Sequence, residues 1–298
     1  MFDWESIRIF LAIAHAGSLS GAARALKVDH ATVSRRLSAL EGDLQVRLID
    51  RLPRSCRLTP IGLEVLKLAT EMETEAFAIE RVVRAEQSPT LGRVTLSAPP
   101  VLASNFLAGT LGLFRQRYPL VQLSIVSQAQ SVSLVRREAD IALRLYRPTE
   151  PDNVIRKLGA MPFALYASCD YEHLATPADW AFITYEEGLA DMPHQKWMVN
   201  TAQGRVIACE VSDITTQHAA ARTGVGVAGL PIFIGDADPQ LQRLPFEGEC
   251  FCPEIWLVVH ADLRHSPLLR DVMGFIVEMI GREFDGQNLL TGHPIPAF

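Results

Sequence analysis

Residues 29–41 read DHATVSRRLSALE. Asp29 has the side chain of a helix N-cap. Val33, Leu37 and Leu40 then recur at helical spacing on one face. At about 100° per residue the other stripe is Ala31, Ser34, Arg35 and Ser38. Small residues there permit close approach to a groove wall, and an arginine can fork onto guanine O6 and N7. A solvated face would more often carry Glu and Lys. This helix therefore reads as one that enters a nucleic-acid groove.

Upstream, Ile7, Phe10, Leu11 and Ala14 mark one face of an earlier helix, with Gly17 where a C-cap belongs. Ser18 or Ser20 can cap a second helix, whose Ala22, Ala23 and Leu26 allow close packing. Lys27-Val28-Asp29 is the turn before the third. Downstream, Leu44, Val46 and Leu48 alternate as a short strand does. Arg51-Leu52-Pro53-Arg54-Ser55 places two arginines around a proline turn, and Arg57-Leu58-Thr59 returns. Taken alone this is a basic surface hairpin. Beside a recognition-type helix it reads as a β-wing.

The chain has 298 residues and a net charge of −6, unevenly spread. Residues 1–60 carry nine Lys and Arg against six Asp and Glu; residues 61–87 carry three against six, and 88–298 sixteen against twenty-two. A basic head on an acidic body fits one DNA-binding module joined to something else. No run of about eighteen apolar residues and no apolar leader is visible, so the cytoplasm is expected. Five cysteines, an odd number in a long chain, do not suggest a disulfide framework.

Thr59 can cap and Pro60 can open a long helix that runs without breakers to about Gln87. Within it Val65, Ala69, Met72, Ala76, Ile79 and Val83 follow steps of four and three, an a/d seam for dimerisation. The alternative is one amphipathic helix packed on its own domain. EQSPTLG at 86–92 reads as a hinge. Beyond it, strand and helix signals alternate, implying βαβ units and a parallel sheet. RVTLS, VQLSIVS and DIALRLY are strands, with helices at 101–117 and 132–137. Ligands in such sheets bind at the carboxyl ends of strands, here near Pro99, Pro100, Val101, Gln128 and Arg144. PFALYAS, AFITY, GVGVAGLP and IWLVVHA read as a second half, and 268–285 as a helix that returns to the first.

At this point a family is recognisable. FLAIAHAGSLSGAARALKVDHATVSRRLSALEGDLQVRLIDRLPRSCRLTPIG, residues 10–62, resembles the winged helix-turn-helix of LysR-type transcriptional regulators. GSLSGAARAL, VSRRLSALE, LIDRLPR and LTPIG occur in the family's order and spacing. LGLFRQRYPLVQLSI, READIALRL and AARTGVGVAGLP resemble its two-lobed effector domain, which is similar to periplasmic binding proteins. The likeness covers nearly the whole chain, more loosely over 150–210.

The resemblance implies an α/β protein in three parts. These are a DNA-binding domain (1–59), a linker and dimerisation helix (60–87) and an effector-binding domain (91–298). The effector domain would hold lobe I at 91–161 and 268–298 and lobe II at 162–267. It implies DNA contacts by His30, Ala31, Ser34, Arg35, Ser38, Arg51 and Arg54, and an inducer pocket that adds Asn200 and Thr201 to the residues above. The expected partners are double-stranded DNA with a pseudo-palindromic operator, a small-molecule effector and RNA polymerase, for a homodimer or homotetramer without catalysis, cofactor or metal. The chain departs from the family at Asp29-His30-Ala31, where Ser-Gln-Pro is common, and at Pro100-Val101, where Ser or Thr is common.

Other motifs lead elsewhere. Gly224-Val225-Gly226-Val227-Ala228-Gly229 matches G-x-G-x-x-G, but a helix signal precedes it and a strand signal follows. A dinucleotide site needs the reverse order. Cys250-Phe251-Cys252 would put two thiols on one face of a strand, with His260 and His265 downstream, yet lacks C-x-x-C spacing. The peroxide-sensing branch of the family uses a closely spaced cysteine pair where this chain has only Cys209. The rival from another class is an enzyme or small-molecule binding protein with a vestigial DNA-binding head.

Overall fold

The computed structural model describes residues 3–52, 55–85, 92–127 and 139–284. They fall into two compact units, Met1–Val83 and Arg84–Phe298.

The first unit opens with three helices, each started by a side-chain cap. Asp3 accepts the Ser6 N–H at 2.7 Å and begins α1 (Trp4–Ala16). Gly17, at φ +63°, ends that helix with its N–H on the Ile13 carbonyl. Ser18 caps α2 (Leu19–Leu26), and Asp29 caps α3 (His30–Leu44). The Thr32 hydroxyl and N–H both donate to Asp29 and hold its carboxyl below the ordinary range. Such caps contribute about 1 kcal/mol each. The shared core of Ile7, Ile9, Phe10, Leu11, Ile13, Val33, Leu37 and Leu40 outweighs them, at about 1.5–3 kcal/mol per buried side chain.

The wing differs from the alternation read over 44–48. Leu44 ends α3, and Gln45 turns left-handed at φ +55°. The Glu41 carboxylate then takes the N–H groups of Leu48 and Ile49. Those amides are spent on a side chain, so the ladder begins only at β1 (Ile49–Leu52), which pairs antiparallel with β2 (Ser55–Leu58). Thr59 then caps α4 (Pro60–Ala85). Its hydroxyl accepts from the Gly62 N–H and donates to the Arg47 carbonyl. Gly62 is required here, because a Cβ would sit 2.1 Å from the Leu48 carbonyl oxygen.

The second unit has two lobes. Lobe I is a five-stranded sheet in the order β4 (Val121–Ser127), β3 (Gly92–Ala98), β5 (Ile141–Arg144), β12 (Glu254–His260) and β6 (Asn153–Ala160). β3 (Gly92–Ala98) lies parallel to β4 (Val121–Ser127) and β5 (Ile141–Arg144). Between β3 and β4 the chain forms α5 (Pro100–Leu102), a π-helical stretch (Ala103–Leu107) and α6 (Ala108–Arg117). β6 (Asn153–Ala160) ends the sheet.

Lobe II opens with β7 (Phe163–Ser168) and β8 (Phe182–Tyr185), followed by α7 (Pro193–Ala202), β9 (Ile207–Val211) and α8 (Ile214–Arg222). β10 (Ala228–Pro231), α9 (Ile232–Gly235) and β11 (Leu241–Arg243) complete it. β8 and β9 run parallel, while β7 takes β10 and β11 antiparallel.

The chain then re-enters lobe I. β12 (Glu254–His260), the IWLVVHA strand, pairs antiparallel with β5 and β6 rather than joining the second half. Lobe II therefore ends before 254, not at 267, and the lobe I sheet is mixed rather than parallel. A fully apolar strand suits any buried sheet, so periodicity cannot assign it to a lobe. α10 (Pro267–Phe284) returns to lobe I, with Phe275 and Phe284 edge-on to Phe114 and Phe106. The helix read at 132–137 lies outside the described residues.

Candidate DNA-reading face and effector cleft

The two arginines of the opening stretch have different surroundings. Arg36 turns back to α1, its Nη1 3.0 Å from the Asp3 carboxylate. That exposed pair contributes at most about 1 kcal/mol. Arg35 is exposed, as are His30, Ala31 and Ser38, and Ser34 is half-buried among them. With Val33, Leu37 and Leu40 fully turned inward, α3 presents one small, acid-free face. Arg51 lies on β1 opposite Cys56. Arg54, the other wing arginine, lies outside the described residues.

In α4 the proposed seam divides. Ala69 is buried in the head's own core, with Val65 and Leu66 packed on it. Those two seam positions are used within one chain and do not await a partner. Met72 is 41% exposed and Ile79 70% exposed, and Ala76 is half-buried. For Val83 only its place in the helix is described.

Within the second unit the strands converge on a cleft of about 590 Å³ between the lobes. From lobe I come Pro99, Pro100 and Val101, at the end of β3, and Arg144, Leu145 and Tyr146, at the end of β5. Arg144 is 7% exposed, and its Nη1 donates to Ser97 Oγ at 3.1 Å and to the Leu143 carbonyl. Burial pushes its guanidinium below the ordinary range, yet a guanidinium stays protonated in proteins. Gln128, the expected amide of this wall, lies outside the described residues.

Lobe II supplies the opposite lining. Asn200 and Thr201 do not contribute: they occupy the last turn of α7, and the Thr201 carbonyl accepts from Arg205. The start of the same helix, Pro193 and His194, lines the cleft instead, with Tyr185 ending β8 and Ser212-Asp213-Ile214 following β9. The rule that points to strand ends in lobe I also finds these, because β8 and β9 are parallel. Phe163, Phe251 and Pro253 line the cleft where the chain crosses between lobes. Phe251 was legible only as the middle of a thiol pair. The structure gives 250–252 no strand, and both thiols are exposed.

The electrostatics of this lining are set by burial. Burial pushes the Asp213 carboxyl up, but the N–H and hydroxyl of Thr216 more than offset it and leave it lowered. Burial and the neighbouring Asp213 push the Tyr185 phenol well above its ordinary value, so it remains un-ionised. His194, 5% exposed, is held down to about 4 by burial, against the hydrogen bond to Gly229. Gly229 belongs to the G-x-G-x-x-G match, and the structure explains each glycine without a nucleotide. Gly224 sits at φ +78° just past α8. A Cβ on Gly226 would meet the Ala181 carbonyl at 2.6 Å, and one on Gly229 would meet Met198 and Trp197 at 2.4 Å.

Comparison with known proteins gives the same two domains. Residues 4–63 match the family model for the bacterial regulatory helix-turn-helix protein, lysR family, and 87–281 match the LysR substrate binding domain. The chain is 28% identical over 289 residues to the Mau operon transcriptional activator of Paracoccus denitrificans, covering 95% of this chain and 99% of that one. It is 26% identical over 295 residues to the HTH-type transcriptional regulator CrgA of Neisseria meningitidis, covering 95% and 98%. The solved structure of CrgA from Neisseria meningitidis aligns with a TM-score of 0.57 at 26% identity, over 94% of this chain and 100% of that one. A full-length OxyR from Pseudomonas aeruginosa shares the fold, with a TM-score of 0.63 at 17% identity over 99% of both chains. A capped helix with one acid-free face beside a two-stranded wing, and a two-lobed α/β unit closing on a cleft, are thus the two modules of a known design: the chain belongs to the LysR family of transcriptional regulators, with a helix-turn-helix DNA-binding domain and an effector-binding domain.

Proposed function

We propose that α3 reads base edges through Ser34 and Arg35, with His30, Ala31 and Ser38 beside them, and that Arg51 and Arg54 of the wing hold the DNA backbone. The observation that supports this is the contrast within one arginine pair: Arg36 is engaged with Asp3, while Arg35 is left exposed on the small-residue face. A small-molecule effector occupies the cleft between the lobes, where Arg144 takes an anionic or carbonyl handle and Pro99, Pro100 and Val101 form an apolar lip. The protein acts in the cytoplasm as a homodimer or homotetramer, associates through the exposed part of α4, engages a pseudo-palindromic operator with RNA polymerase as a further partner, and catalyses no reaction.

Selection of bound sequences from a random DNA pool gives the operator. On it Arg35→Ala costs about 1–3 kcal/mol of specific binding, with folding intact. Unchanged affinity in a gel-shift titration removes Arg35 from the reading surface. Native mass spectrometry of ligands carried by the purified protein tests the cleft; turnover without DNA affinity would favour an enzyme.

A further inference from the structure

His194, which lines the cleft from lobe II, carries a buried polar atom with no hydrogen-bond partner among the described residues. His194 Nε2 lies 2.8 Å from the Gly229 carbonyl, which can only accept, so this nitrogen carries the proton. The neutral ring then leaves a lone pair on Nδ1, and among the described residues nothing donates to it. Around the imidazole stand Phe163, Tyr185 and Phe251, with ring centroids 5.0, 5.0 and 5.7 Å away, and all three line the cleft with it. A buried acceptor without a donor is costly, and a ligand that supplies the donor recovers that cost.

We infer that the effector is an aromatic compound carrying an O–H or N–H donor, and that His194 Nδ1 accepts its hydrogen bond while the ring packs against Phe163, Tyr185 and Phe251. The inference rests on reading the cleft as the effector site. A donor is required rather than an acceptor, because the one N–H of the imidazole is spent on Gly229. A ring is required because aromatic faces and edges surround the nitrogen, and such pairs favour offset or edge-on contact. Masking the donor with a methyl group leaves the nitrogen unsatisfied and adds bulk beside it. A site built to bond an O–H or N–H discriminates strongly against analogues that lack it. His194 also differs from Arg144 in what it selects, since Arg144 donates to any anionic or carbonyl handle.

The test uses two matched pairs of probes, 4-ethylphenol with 4-ethylanisole and indole with 1-methylindole, titrated into the full-length protein by calorimetry. The donor of each pair binds at least about tenfold more tightly than its methylated partner, one hydrogen bond's worth. In His194→Phe the two members of each pair converge to within about twofold. In protein labelled with 15N-histidine, the His194 Nδ1 resonance moves toward the protonated position with the donors and stays still with the methylated probes. This wild-type measurement decides the matter even if His194→Phe folds poorly. Equal affinity within each wild-type pair, or an unmoved Nδ1 signal, overturns the inference and leaves the cleft as the effector site. Failure of all four probes overturns it as well. If native mass spectrometry then still finds a cleft ligand, the functional reading stands alone; if it finds none, both fall.

Discussion

A buried imidazole ties the effector domain's stability to pH. His194 titrates near 4 in the folded chain against an ordinary value of 6.5, because burial disfavours its charged form. Between those values the unfolded chain binds the proton more readily. The stabilisation is therefore complete above about pH 6.5 and is lost as pH falls toward 4. It amounts to roughly 3 kcal/mol. Urea unfolding at pH 7.5 and pH 5, followed by fluorescence of the three tryptophans of this unit, Trp180, Trp197 and Trp256, reads the difference directly. The same pair of measurements on His194→Phe should show a smaller pH effect. An equal loss in the variant would place the dependence on another group. Phe163, Trp197 and Phe251 add to the site's rigidity, since packed rings leave the imidazole little freedom.

At the scale of single elements, α4 serves two purposes along its length. Val65 and Ala69 belong to the head, whereas Met72 and Ile79 remain exposed. A Met72→Asp, Ile79→Asp double variant should lower the association state, because an interface there would bury unpaired charge. Light scattering that reports the wild-type mass would place the association surface elsewhere. The start of the helix is constrained by space instead. Gly62→Ala forces a methyl to within 2.1 Å of a backbone carbonyl, which cannot retreat as a flexible side chain can. A loss of about 1–3 kcal/mol from the head follows, seen as earlier thermal unfolding with no change in the effector domain. A wild-type melting point would mean that the wing can shift away from the helix at little cost.

At the scale of the whole molecule, recognition of DNA and of ligand reside in separate compact units. Arg144 lies in the second, buried at the end of β5 with its guanidinium on Ser97 and Leu143. Arg144→Ala should therefore abolish the response to the ligand recovered from the native protein while leaving operator affinity intact. Gel shifts with and without that ligand separate the two. A normal response would make Arg144 structural, a support for the β3 and β5 ends, and the ligand's polar contacts would then come from Asp213 and His194. Loss of operator binding in the same variant would instead mean that the second unit's integrity controls the first.

Local chemistry was enough to specify the three helices that open the head. Capping side chains at Ser18 and Asp29, a C-capping Gly17 and one apolar stripe per helix all act within a few residues, so the chain itself displays them. The same holds for Thr59-Pro60, which starts α4, and for the lip at Pro99–Val101. Tertiary structure decided what depends on partners distant in sequence. β12 could be drawn into either lobe by its apolar residues, and only its pairing with β5 and β6 fixed it in lobe I. Val65 and Ala69 fit a seam by spacing, but the head's core claimed them first. The cleft's second wall took the start of α7 rather than its end, bringing His194 in and leaving Asn200 and Thr201 out. The physical reason is common to all three: periodicity says which face of an element is buried, while the neighbour that buries it is chosen by contacts that no local stretch contains.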